Sequence, residues 1–137
     1  MAYHLPTDDT IKLILQQSKT IALVGASQKP WRDSNDIMQF LLKSGYSVIP
    51  VNPNYKEVLG LQCYSNLRSI PHAIDIVNIF RNPDKILPII DDAILVKAKT
   101  IWMQLGVVNE EAAQRAAIAG LNVVMDRCIA VEFRMLL

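Results

Sequence analysis

Five short apolar runs alternate with amphipathic segments from end to end, and no internal repeat, low-complexity tract or linker interrupts them. The runs are continuous rather than alternating, the pattern of strands buried on both faces of a parallel sheet. Helix-length segments between successive strands supply the crossovers such a sheet requires. Together these observations predict an α/β, Rossmann-like doubly wound five-stranded parallel sheet with strand order 3-2-1-4-5. The 137 residues form one domain, 1–137, with residues 1–19 as an N-terminal helical extension.

Each element has its own local warrant. Thr7 to Thr10 offers an N-cap and first-turn acids, and Ile11, Ile14 and Leu15 then mark one helical face. Thr20–Val24 is the first strand and stops at Gly25. Asp33, Ser34 and Asn35 are cap candidates for a second helix with Ile37, Phe40 and Leu41 on its stripe, and Gly45 stands just past its end. Ser47–Val51 is the second strand, ended by Asn52-Pro53. Residues 54–72 hold Gly60, Pro71 and Ser65-Asn66, and read as loop with at most one short helix. Ile74–Phe80 is the third strand. A helix follows Asn82-Pro83-Asp84, with Pro88 placing its regular part from about Leu87 onward. Thr100–Met103 is the fourth strand. Asn109 caps an alanine-rich helix closed by Gly120, Leu121–Met125 is the fifth strand, and Cys128–Leu137 reads as a terminal helix.

Composition narrows the function. Fourteen Lys and Arg face thirteen Asp and Glu, for a net charge of +1, which excludes a basic nucleic-acid-binding surface. No apolar stretch reaches the ~20 residues of a membrane span, and the N-terminus lacks the pattern of a signal peptide. Cys63 and Cys128 stand too far apart for a zinc motif and are too few for a disulfide framework. The expectation is a cytoplasmic domain with no metal site.

In a doubly wound sheet, ligands bind outside the carboxyl ends of the strands. The segments following the five strands are Gly25–Ser34, Asn52–Lys56, Arg81–Pro83, Gln104–Gly106 and Asp126–Cys128. They carry Lys29, Arg32, Lys56, Arg81 and Arg127 against Asp33 and Asp126, with Glu57 and Asp84 immediately after them. A helix N-terminus adds free N–H groups, so the edge suits a phosphorylated ligand. The P-loop pattern Gly-x4-Gly-Lys-Ser/Thr is absent, and Gly25 alone represents the dinucleotide fingerprint, with Ser27 at its second glycine. The second strand ends in Asn52-Pro53 where NAD sites place an acid for the ribose.

The run Val24-Gly25-Ala26-Ser27, then Lys29-Pro30-x-Arg32-x-Ser34, Val51-Asn52-Pro53, Phe80-Arg81, Trp102-x-Gln104-x-Gly106 and Met125-Asp126-Arg127-Cys128 resembles the small CoA-binding proteins. These are single-domain relatives of the CoA-binding domain of succinyl-CoA synthetase alpha subunits and NDP-forming acyl-CoA synthetases. The resemblance spans Ile21 to Glu132 and implies coenzyme A, free or acylated, as the ligand. It implies that Gly25, Ala26 and Ser27 hold the pyrophosphate, with Lys29, Arg32 and Ser34 as further phosphate contacts. Asn52, Pro53 and Lys56 would line the adenosine side, with Lys56 toward the ribose 3′-phosphate. Phe80 and Arg81 would flank adenine or ribose, and Gln104 and Gly106 would approach the pantetheine arm.

Plainer roles stand beside these. Asp33 and Ser34 also read as helix caps, Lys29 and Arg32 as solvated charges, Trp102 as core, and Arg127 as a partner of Asp126 or Glu132. His4 and His72 lie away from the ligand edge, so neither is placed as a general base. Cys128 lies on that edge, where it is either a small buried apolar side chain or a thiol able to meet the thiol of bound CoA. The synthetase phosphohistidine and ATP-grasp parts have no counterpart in the sequence. The resemblance therefore implies a non-catalytic binding module, with an NAD(P)-dependent reductase or redox sensor and a docking module for an acyl-CoA ligase subunit as alternatives. A homo-oligomer is compatible with either form of partnership.

Overall fold

The computed structural model describes residues 3–137. Thr7 caps α1 (Asp8–Gln17), its hydroxyl accepting from the Thr10 N–H at 3.2 Å. Then follow β1 (Thr20–Val24), α2 (Asp33–Lys43) and β2 (Ser47–Val51). A small hairpin, β3 (Glu57–Val58) and β4 (Leu61–Gln62), and a 3-10 turn at Leu67–Ser69 occupy the segment read from sequence as loop. The chain continues through β5 (Ile76–Ile79), a 3-10 turn at Pro83–Lys85, and α3 (Leu87–Leu95). It ends with β6 (Thr100–Met103), α4 (Glu110–Ile118), β7 (Asn122–Met125) and α5 (Ile129–Leu136). The Asn109 side chain caps α4 by accepting from Ala112 N at 3.0 Å.

The five main strands form one wholly parallel sheet in the order β2-β1-β5-β6-β7. Counting only those strands, the order is 2-1-3-4-5, which corrects the expected 3-2-1-4-5. The cause lies beyond β2. Tyr64 bridges Val51 in parallel, donating its N–H to Pro50 O at 3.0 Å and accepting from Asn52 N at 2.9 Å. That segment takes the outer edge of β2 near its end, and Pro50 has no N–H to offer a further strand there. The next strand enters on the far side of β1, and the topological switch falls between β1 and β5.

Alternate residues of each strand feed two cores. Ala22, Val24, Ile49, Val77, Ile79, Ile101 and Met103 pack with Ile90 and Ala93 of α3 and Ala112, Ala113 and Ala116 of α4. Ile21, Leu23, Val48, Ile76, Trp102 and Val124 pack with α1, α2 and α5 through Ile11, Leu15, Met38, Leu41 and Ile129. The alanines of α4 bring that helix close to the sheet. Although it precedes the first strand, α1 is part of the core, with Ile11 fully buried. Trp102 is fully buried and donates its indole N–H to Arg127 O at 2.9 Å.

At the amino end of the sheet, Asp75 Oδ2 accepts from Lys19 N (2.8 Å) and Thr20 N (3.0 Å), while Lys99 lies 3.3 Å from Oδ1. Burial pushes the Asp75 carboxyl up, but these donors outweigh it and hold the group below its usual range. The opposite, carboxyl end is left open.

A phosphate-suited cleft at the switch point

The ladder pairs Val24 with both Val51 and Ile79, Ile79 with Met103, and Met103 with Met125. The next residues, Gly25, Asn52, Phe80, Gln104 and Asp126, therefore leave the sheet at one level. Gly25 turns with φ of 91°, and a Cβ there would lie 2.3 Å from Phe80 O. Only glycine lets β1 end so close to β5 and leave toward α2.

Two asparagines then fix the direction of the Gly25 turn. Asn52 donates its side-chain amide to Ala26 O at 2.8 Å, and buried Asn35 donates to Ser27 O at 2.8 Å. In a trans peptide the N–H points opposite the carbonyl, so the N–H groups of Ser27 and Gln28 face away from these clamps. Ser27 Oγ accepts from Lys29 N at 3.1 Å and closes the turn. The start of α2 has no capping side chain: Arg32 occupies the N-cap position and bonds the helix only through its carbonyl, which accepts from Asn35 N at 3.0 Å and Asp36 N at 3.4 Å. This corrects the expectation that Asp33, Ser34 or Asn35 would cap it, since Asn35 spends its amide on Ser27 O and Asp33 and Ser34 are already helical. The N–H groups of Asp33 and Ser34, which open α2, remain available to an anion.

These segments enclose a cleft of about 800 Å³ lined by Gly25, Ser27, Lys29, Trp31, Arg32, Ser34, Asn52, Tyr55, Phe80, Arg81 and Gly106, among others. Among the described residues, Lys29, Arg32 and Arg81 make no ion pair. Asp33 is the one acid in the lining. The cleft continues, through Gly25, Asn52 and Arg81, into a narrower pocket of about 180 Å³. Val24, Val51, Pro53, Leu67 and Ile89 supply its apolar walls.

The expected site residues are distributed unevenly. Gly25, Ser27, Lys29, Arg32, Ser34, Asn52, Phe80, Arg81 and Gly106 share the main cleft, and Pro53 lines the narrower pocket. Ala26 is fully buried, lines neither pocket, and holds the turn through its carbonyl, which accepts from Asn52. Lys56 is exposed at the start of the hairpin and lies outside the lining of either pocket. Gln104 is only 6% exposed, and its Oε1 accepts from Ile129 N at 3.3 Å and Asn78 Nδ2 at 3.2 Å. Arg127 is drawn from the edge by Glu132 (3.2 Å) and Asp8 (3.9 Å).

Sequence reasoning placed Asn54, Tyr55, Asn82 and Leu105 in the edge segments but named none of them, nor Val107, as a ligand contact, and all five line the cleft. Their positions beside already chosen turn residues were the signal that could have found them. Trp31, 73% exposed between Lys29 and Arg32, also lines it. Asp126, read as an opposing charge, is a positioning residue: at φ of 62° its Oδ1 accepts from Gly106 N at 2.8 Å. Cys63 lies beneath the cleft, its thiol 3.5 Å from Asn52 O, and burial pushes that thiol up. No group of three His, Cys, Asp or Glu side chains gathers as a metal site among the described residues, and no helix there is long and apolar enough to cross a membrane.

Fold and cleft define a class: a doubly wound α/β domain whose site is the crevice at its topological switch point. Within that class the chain belongs to the CoA binding domain family, whose sequence profile matches residues 19–134. It is 42% identical over 126 residues to YneT, an uncharacterized protein of Bacillus subtilis (strain 168), covering 92% of this chain and 93% of that one. A solved hypothetical protein from Pyrococcus horikoshii OT3 superposes with a TM-score of 0.94 at 45% identity, covering 96% of this chain and 92% of that chain. The ADP-forming acetate–CoA ligase I of Archaeoglobus fulgidus is 37% identical over 70 residues, 51% of this chain but only 10% of the ligase. The chain is thus related to one part of an acyl-CoA synthetase and to small proteins of its own length.

Proposed function

We propose that this protein binds coenzyme A or an acyl-CoA in the switch-point cleft and performs no chemistry of its own on the acyl group. The observation that carries the reading is the meeting of an uncapped α2 with the unpaired Lys29, Arg32 and Arg81 in one cleft. Coenzyme A carries a pyrophosphate and a 3′-phosphate, and free N–H groups with Arg and Lys donors match such oxygens. The narrower pocket, apolar at Val51, Pro53, Leu67 and Ile89, has the character of a base site. The end of β2 carries Asn52, its amide committed to Ala26 O, in place of a carboxylate for a ribose diol, which disfavours NAD. Lys29, Arg32, Ser34 and Arg81 are the proposed phosphate ligands, with Gly25 and Ser27 as the backbone cradle.

A thermal-shift panel tests the reading with CoA, dephospho-CoA, acetyl-CoA, NAD and NADP. A ligand at about 100 times its dissociation constant stabilises the folded state by about 2.7 kcal/mol. CoA and acetyl-CoA are expected to shift the transition, dephospho-CoA less, and NAD least. No shift with CoA, or an equal one with NAD, would refute the assignment.

A further inference from the structure

The cleft has a second extension, away from the apolar pocket beside β2. It is a cavity of about 310 Å³ lined by Asp33, Asp36, Ile37, Phe80, Gln104, Leu105, Val107 and Cys128. Asp33, Phe80, Leu105 and Val107 line both spaces, so the two are continuous. Cys128 is half-buried at the N-cap position of α5, where its side chain makes no capping bond. It is therefore not the sequestered apolar side chain that a free cysteine commonly is.

Gln104 gives this cavity an independent mark of a ligand. Its side chain is almost fully buried, and the Ile129 N–H, which can only donate, fixes Oε1 toward α5. Asn78 donates to the same oxygen. Nε2 is left without an acceptor among the described residues, although its residue lines the cavity. Unlike a sealed polar atom, this donor opens onto the cavity, where it is free to meet an acceptor on a ligand. Asp33 and Asp36 repel anions from this end, while Phe80, Leu105 and Val107 make its wall apolar. An uncharged amide-containing chain ending in sulfur fits that chemistry; a phosphate does not.

We propose that this cavity takes the thiol end of a pantetheine chain, and that Cys128 captures the disulfide form of such a ligand by thiol–disulfide exchange. The inference rests on the CoA reading above. Gln104 Nε2 donates to the last amide carbonyl of the arm, which places the ligand sulfur toward Cys128. The Cys128 thiol loses its proton to solvent, and Sγ attacks the near sulfur of the ligand disulfide. The new Sγ–S bond forms as the old S–S bond breaks, and the departing thiolate takes a proton from solvent. One disulfide is exchanged for another, so no external oxidant is involved, and a reducing thiol releases the captured ligand.

Intact-mass kinetics on the full chain test this with CoA disulfide, cystamine and glutathione disulfide as separate probes. One CoA adduct is expected, mapped to the peptide holding Cys128, absent in Cys128→Ser and removed by dithiothreitol. Anchoring of the nucleotide should make it form more than about tenfold faster than the cystamine adduct. No CoA adduct, an adduct on Cys63, or equal rates for the three disulfides would overturn the proposal. A thermal shift with reduced CoA, run on the parent and on Cys128→Ser, separates the two levels: a shift without an adduct in the parent defeats this inference alone. Loss of both shift and adduct defeats the CoA reading with it.

Discussion

Gly25→Ala probes the cleft at its narrowest constraint. The added Cβ would stand 2.3 Å from Phe80 O, against an ordinary carbon–oxygen contact of about 3.3 Å, so the ends of β1 and β5 must part by about 1 Å. Phe80 resists, because its N–H is held by Val24 O at 2.8 Å. The φ of 91° adds strain of its own. Gly120 has a nearly identical φ of 92°, but an added Cβ there meets nothing within 4 Å, so Gly120→Ala carries the conformational cost alone. We expect Gly120→Ala to cost about 1 kcal/mol. Gly25→Ala should cost about 3–4 kcal/mol, the collision adding about 2–3 kcal/mol of the overpacking kind. For a domain of this size that lowers Tm by roughly 10 °C. Urea denaturation of the two variants beside the parent gives both numbers. Equal costs at Gly25 and Gly120 would refute the argument that close approach to β5, rather than φ alone, demands glycine.

Four other substitutions probe the amino end of the sheet, the Gly25 turn, the cleft and the hairpin. Asp75→Asn removes the charged acceptor of Lys19 and Thr20 and should cost about 1–3 kcal/mol near neutral pH by urea denaturation. Because the folded Asp75 carboxyl is held low, the unfolded chain takes up the proton first as pH falls. Its contribution is therefore complete above the ordinary carboxylate value of about 4 and fades below it, so the parent and variant should converge in acid. Asn35→Ala leaves Ser27 O without its donor and should cost about 1–3 kcal/mol in the same assay; a loss under about 0.5 kcal/mol would show that the clamp is dispensable. Arg81→Ala should raise the CoA dissociation constant about tenfold by calorimetric titration, the equivalent of one charge-assisted contact. Lys56→Ala, outside the lining, should change it less than about threefold, and the reverse ranking would move the phosphate site to the hairpin.

Much of the architecture was legible because it depends on local pattern. Continuous apolar runs gave the five strands, Asn109 gave the cap of α4, and Pro88 placed the start of α3 at Leu87. Strand order was not legible from periodicity, which says nothing about which side of β1 receives β5. Pro50 was the neglected clue, since a proline in a strand favours an edge, and β2 is the edge. The hairpin at Glu57–Gln62 escaped because two-residue strands carry no period to read. At the site, proximity to strand ends located the turn residues but not their partners. Side chains such as Asn35, Asp126 and Gln104 show their roles only through contacts 8, 20 and 25 residues away. Lys56 illustrates the converse: sequence nearness to Asn52 and Pro53 does not put a side chain in the same cleft once the hairpin turns away.

Every binding outcome above depends on the proposed seat of coenzyme A in the cleft at the carboxyl ends of β1, β2 and β5. Backbone amide NMR of the isotopically labelled full chain during CoA titration reads this directly. Perturbations are expected at Gly25, Ser27, Gln28, Asp33, Ser34, Arg81 and Gly106, while Lys97, Lys99 and Leu121 at the far end of the sheet stay fixed. Perturbations confined to that far end, or none at saturating CoA, would exclude the cleft as the CoA site.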